Sequence, residues 1–154
     1  MIKQSGFSLL ELIIVIVILT ILAGIALWTI GSFQKTTQLE TAEILVVEVL
    51  ETAKSKTLSS VQRTNYGVYF EENRLILFSG LEYEEGKENN RQYLLPAGLV
   101  LNADFNGQSQ VIFKRLTGRP LAVGEVVLWS ATNPDKKRII SVSAAGQIRT
   151  MTDS

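Results

Sequence analysis

A single carboxylate stands at the mouth of the longest apolar run in the chain. Glu11 is followed at once by Leu12-Ile13-Ile14-Val15-Ile16-Val17, and no charged residue and no proline occurs from Leu12 to Gln34. A carboxylate in that setting costs on the order of 2.5–3.5 kcal/mol if carried to a bilayer centre, and less near the interface. It therefore calls for a cation. The nearby one, Lys3, lies eight residues away, off the adjoining helical turns. Two readings stand: a partner from another chain, or a side chain that snorkels to the headgroups.

Elsewhere the residues that do chemistry are sparse. The chain has no His and no Cys, so the commonest general base, the commonest metal ligand and thiolate nucleophiles are all missing. Its serines have no imidazole to activate them, and no phosphate-cradling glycine loop is present. These absences point away from an enzyme and imply no cofactor. Glu82, Glu84 and Glu85 resemble a metal cluster by type, but their adjacency in a Gly- and Asn-containing stretch reads better as solvated charge. Fifteen basic and fifteen acidic residues cancel overall, yet they are segregated. Between Glu40 and Glu88 there are ten acidic and five basic residues; between Val111 and Arg149 there are seven basic and two acidic. Lys136, Lys137, Arg138 and Arg149 are the candidates for a basic face. Such a face holds a polyanion such as DNA by counterion release, or meets solvent or another subunit.

The elements that position these residues follow from periodicity. The run 12–34 is long enough to cross a hydrocarbon core as a helix, for which about twenty apolar residues suffice. Lys3 and Lys35 bracket it, which places the short N-terminal stretch inside and the rest outside. The alternative is a secretory signal peptide with a poor cleavage site at Gly24-Ile25-Ala26. The run is long for that role, and Glu11 serves no purpose in it. Beyond Lys35, Leu39, Ala42, Val46, Val49 and Ala53 recur at three and four residue steps, with Leu45 and Leu50 widening the stripe. One helix is thus expected over 7–60, its outer half laying an apolar stripe on a β-rich domain over 61–154. Strands are expected at Asn65–Phe70, Arg74–Phe78, Gly98–Asn102, Gln110–Lys114, Glu125–Trp129, Arg138–Val142 and Gln147–Thr150. The fold class is α+β: a long N-terminal helix packed on a small antiparallel sheet or two-sheet sandwich.

The stretch Gly6-Phe7-Ser8-Leu9-Leu10-Glu11 and the apolar helix after it resemble the processing signal of type IV pilins and type II secretion pseudopilins. The resemblance implies a leader, 1–6, removed by a prepilin peptidase after Gly6, and methylation of the new N-terminus, Phe7. It implies that Glu11 pairs with the terminal amine of a neighbouring subunit during filament assembly. The partners implied are other pilin or pseudopilin subunits, the peptidase and inner-membrane lipid, with the globular domain on the extracytoplasmic side. The mid-helix proline of many major pilins is absent here. Further along, Ile112-Phe113, Thr117-Gly118-Arg119-Pro120, Val126-Val127-Leu128, Arg138-Ile139-Ile140-Ser141-Val142 and Gly146-Gln147-Ile148-Arg149 resemble the minor pseudopilin and its minor-pilin relatives. Some minor pilins of that branch bind DNA through a Gly-Arg-x-Arg motif. Here Gln147 replaces the first arginine, and only Arg149 carries over.

Overall fold

The computed structural model describes residues 9–59 and 63–153; within these, side chains are described outside 26–36 and 152–153. Helix α1 runs Leu9–Leu58. Eight strands follow: β1 (Tyr66–Glu71), β2 (Arg74–Ser79), β3 (Arg91–Leu94), β4 (Leu99–Asp104), β5 (Gln110–Phe113), β6 (Gly124–Ser130), β7 (Asn133–Val142) and β8 (Ile148–Asp153). They form two four-stranded antiparallel sheets, ordered β3-β2-β1-β5 and β4-β6-β7-β8. The α+β class with antiparallel sheets is the one the periodicity predicts, and the sandwich is the form it takes.

By its packing the chain divides into two compact units, Met1–Thr37 and Gln38–Ser154. In the second, Leu39, Ala42, Val46, Val49, Leu50 and Ala53 of α1 are buried, with Leu45 partly so. That is the stripe read from the sequence. Each large side chain taken out of water contributes about 1.5–3 kcal/mol. They meet Val68, Phe70, Leu75 and Leu77 from one sheet and Leu101, Val126, Leu128 and Ile140 from the other. The Leu101 N–H donates to the Glu72 carbonyl at 3.0 Å, tying the β1–β2 turn to β4. All of this core lies between Leu39 and Val142, so the unit holds the apolar interior it needs to fold alone.

Thr57 occupies the next turn of the stripe and is fully buried. Its hydroxyl donates to the Ala53 carbonyl at 2.8 Å and accepts from the Tyr66 N–H at 3.0 Å. A polar group thereby ends the apolar stripe and holds the start of β1. The other face of the first sheet is covered as well. Ile76, Phe78 and Ile112 are buried there, and Tyr83 stacks on Tyr69 with ring centroids 4.2 Å apart. The Phe78 ring lies over Gly67, where an added Cβ would sit 2.7 Å from the ring and 2.6 Å from the Val111 carbonyl oxygen. Only glycine fits.

Two features differ from the sequence expectation. β3 was not expected, because its exposed Arg91 and Gln92 follow a polar loop and make an edge strand without apolar alternation. β7 begins at Asn133 rather than Arg138, because the chain turns back tightly after Ser130, with a register irregularity beside Trp129.

Candidate functional site

Met1 to Ser8, and with them Gly6 and Phe7, lie outside the described residues. From Leu9 the chain is helical, with Glu11 in the first turn. Among the described residues Glu11 makes no ion pair. The apolar side chains beyond it are open: Leu12, Ile13, Ile16, Ile18, Ile21, Leu22 and Ile25 are each half exposed or more. Thr20 turns its hydroxyl back on its own helix, toward the Ile16 and Val17 carbonyls at 3.1 and 2.8 Å. That satisfies the Thr20 hydroxyl within its own helix. Part of the expected span 12–34 has undescribed side chains, and among the described residues no helix is long and apolar enough to cross a membrane.

The four candidate cations of the basic face are brought to one pair of strands but not to one side of it. Lys136, Lys137 and Arg138 lie on β7, and Arg149 lies on β8 opposite Ser141. Side chains alternate along a strand. Arg138 therefore shares its side with buried Ile140 and Val142, while Lys137, Ser141 and Arg149 share the other. Lys136, exposed, lies in the stretch that the register irregularity leaves unpaired. The Arg138 guanidinium sits 3.5 Å from a Glu43 carboxylate oxygen and 3.6 Å from one of Glu40, bridging β7 to α1. Both Arg138 and Glu43 are largely shielded from solvent. Arg149 is exposed and bonds Gln147 at 3.0 Å. Gly146, the glycine of the Gly-Gln-Ile-Arg stretch, has φ +77 and closely abuts the Gly118 carbonyl. Its presence is a packing requirement.

The acidic loop is held by its own contacts. The Lys87 ammonium lies 2.7 Å from Glu84, and the Asn90 amide donates to the Glu84 carbonyl at 2.8 Å. Burial, with Glu85 and Glu71 nearby, raises the Tyr83 phenol above its ordinary value. Glu71 also pairs with Arg74 at 2.6 Å and raises the guanidinium value. Among the described residues no three metal-ligating side chains converge. Asp104 and Glu125, facing each other across β4 and β6, line an open cleft of about 350 Å³ with Asn106, Val123 and Gly124. The Asp104 carboxylate there accepts from the Gly107 N–H at 2.7 Å, capping the Asn106-Gly107 turn. This is turn chemistry. The turn signalled by Thr117-Gly118-Arg119-Pro120 is present over Lys114–Arg119, but sequence reasoning missed one feature of its surface. It carries Leu116 in a left-handed conformation, φ +70, and 71% exposed. No residue pattern announces a leucine there.

Residues 1–27 match the family model described as the prokaryotic N-terminal methylation motif. No curated protein matches the chain by sequence. Among solved structures, the type IV minor pilin FimU of Pseudomonas aeruginosa is similar with a TM-score of 0.60 at 17% identity. The match covers 77% of this chain and 92% of that one. The minor pseudopilin EpsH from the type 2 secretion system of Vibrio cholerae is similar with a TM-score of 0.57 at 14% identity, covering 75% and 97%. At such identities the likeness is one of fold. The chain thus carries the N-terminal methylation motif, and its fold is similar to those of a type IV minor pilin and a type 2 secretion minor pseudopilin.

Proposed function

We propose that this chain is a minor pilin or pseudopilin subunit, a structural protein that assembles into a type IV pilus or a type II secretion pseudopilus. In this reading prepilin peptidase removes residues 1–6 and Phe7 becomes the methylated N-terminus. The segment 12–34 then anchors the subunit in the inner membrane, with the globular unit outside. The observation that carries the reading is the methylation motif over residues 1–27 joined to a unit with the minor-pilin fold. Its physical logic is that of two costly charges. Cleavage after Gly6 creates an amine four residues from Glu11, at the mouth of an apolar helix. A carboxylate and an amine buried among neighbouring helices are each costly alone and tolerated as a pair. The exposed Leu and Ile side chains from Leu9 to Ile25 gain burial only in lipid or against other helices.

Co-expressed with a prepilin peptidase, the precursor should lose its first six residues and carry N-methyl-Phe7, as read by intact mass and the N-terminal peptide. A mature start near Leu27 identifies a signal peptide and refutes the reading. Glu11→Ala should leave cleavage and membrane insertion intact while removing the chain from sheared filaments. Wild-type levels of the variant in filaments would refute the pairing.

A further inference from the structure

Two exposed patches of the unit Gln38–Ser154 have apolar centres and charged rims of opposite sign. The first lies on α1, away from the core. Thr41, Ile44, Glu48 and Glu51 follow one another at steps of three and four residues, all exposed, on the side opposite buried Ala42, Val46, Val49 and Ala53. Ile44 is 66% exposed, and its helical neighbours at i−4 and i+4 are Glu40 and Glu48. Glu40 leans toward Arg138 and Glu51 toward Lys54, both at 3.6 Å, whereas Glu48 has no ion pair among the described residues.

The second patch is the turn Lys114–Arg119, set against the end of α1. The turn is firmly held: Lys114 N–H donates to the Arg119 carbonyl at 2.8 Å and Gly118 N–H to the Lys114 carbonyl at 2.9 Å. Arg115 adds a backbone bond to Asn65 Oδ1 at 2.9 Å and a guanidinium bond to the Arg63 carbonyl at 3.1 Å. Beneath it, Leu58 is 45% exposed and abuts Gly118. At its tip the left-handed backbone of Leu116 costs on the order of 1–2 kcal/mol, and the side chain recovers little of that by burial within this chain. Around these leucines stand Arg63, Lys114, Arg115 and Arg119, all exposed. The three segments that meet here, 52–70, 105–124 and 139–150, contain no Asp or Glu. Glu82 is the first of the carboxylates on the segment that follows Gly80, whose N–H donates to the Asn65 carbonyl.

We propose that the turn Lys114–Arg119 of one copy docks on the α1 face around Ile44 of a second copy. Leu116 and Leu58 meet Ile44, and Lys114, Arg115 and Arg119 face Glu48 and Glu51. Complementary charge fixes the register of such a contact, and the apolar centres supply the burial. Because the two patches differ, the contact is heterologous, and each docked copy keeps a free turn or a free α1 face through which a further copy adds head to tail. The inference rests on the subunit reading above and names the surface that reading leaves open.

The chain has no cysteine, so introduced thiols are the sole thiols present. Full-length Thr41→Cys and Thr117→Cys chains, both substituted at exposed positions, are co-expressed in membranes with a prepilin peptidase and oxidised. A disulfide dimer is expected when both chains are present and not with either alone, and a chain carrying both substitutions should give a ladder. Lys114→Glu with Arg119→Glu should cut the dimer at least tenfold, and Glu48→Lys with Glu51→Lys on the other chain should restore it. Leu116→Gly relieves the left-handed backbone and so leaves the unit at least as stable, yet it should weaken the link. Like-with-like dimers, a yield indifferent to charge reversal, or no disulfide in material already cut and assembled into filaments would each overturn the docking. In the last case the subunit reading survives, whereas a chain never cut after Gly6 overturns that reading by itself.

Discussion

Removing Arg138 should cost folding stability, and removing Lys137 beside it should not. The Arg138 guanidinium lies 3.5 Å from Glu43 and 3.6 Å from Glu40, with its side chain 19% exposed and that of Glu43 16% exposed. At 3.5 Å, unit charges attract by about 1 kcal/mol in bulk water and about 5 kcal/mol at an effective dielectric near 20. Desolvation and side-chain ordering take back most of the larger figure. The half-exposed Glu40 arm adds little. A net coupling of about 1–2 kcal/mol between Arg138 and Glu43 is the expected remainder. A double-mutant cycle of Arg138→Gln and Glu43→Gln in the fragment 38–154, read by urea denaturation, isolates it from whatever else either residue contacts. Lys137→Gln, exposed on the other side of β7, should change stability by less than about 0.5 kcal/mol. A coupling below about 0.3 kcal/mol, or an equal loss at Lys137, would refute the assignment of Arg138 to the α1–β7 junction.

Thr57→Val keeps the shape but removes the oxygen that accepts from the Tyr66 N–H; it should cost about 1–3 kcal/mol, more than Thr57→Ser, and equal losses in thermal melts would contradict this. Gly67→Ala drives a methyl into the Phe78 ring and the Val111 carbonyl and should cost about 2–3 kcal/mol, whereas a denaturation midpoint unchanged by the substitution would show that the sheet yields freely. The Tyr83 phenol is raised above about 10 in the folded unit; its contribution is complete below the unfolded value and is lost as pH rises through the folded one. Stability in wild type should therefore fall more steeply above pH 10 than in Tyr83→Phe, and parallel pH profiles would refute the assignment. DNA held on the β7–β8 face outside the sandwich meets Lys137 and Arg149 but not Arg138. Gel-shift titrations should then give a log–log salt slope no steeper than about −2, against about −4 were all four cations on one surface.

What the sequence discloses, and what it withholds, follows from where each signal resides. The buried stripe of α1 is legible because one helix face meets one core, so period and burial coincide from Leu39 to Ala53. Thr57 belongs to the same stripe but looks like the end of it, since a lone hydroxyl gives no hint of a backbone donor nine residues on. The apolar run of β2, Leu75 to Phe78, marks a strand covered on both faces, yet nothing in it says that Tyr83 and its loop supply the outer cover. The basic cluster shows the limit most plainly. Counting along the sequence makes Lys136, Lys137, Arg138 and Arg149 neighbours, and alternation within β7 already separates Lys137 from Arg138. Only the pairing of Ser141 with Arg149 decides which of them Arg149 joins.

One helix carries two patterns, and the difference between them bears on function more than any single residue. From Leu9 to Ile25 every face is apolar and exposed; from Leu39 to Thr57 one face is buried and the opposite one is acidic. A helix with a partner sheet needs only one apolar stripe, and an all-round apolar surface is what the proposed anchor in lipid, or contact with other helices, would bury. Glu11 belongs to that surface, and a carboxylate is tolerated there when something outside the chain supplies the cation. The same reasoning reaches the other end of the helix, where Leu116 and Leu58 stay exposed among cations while Ile44 stays exposed among carboxylates. Each patch leaves apolar area in water next to charge of one prevailing sign, and each offers what the other lacks. A chain meant to act alone has no use for either, whereas a subunit that must recognise its neighbour has use for both.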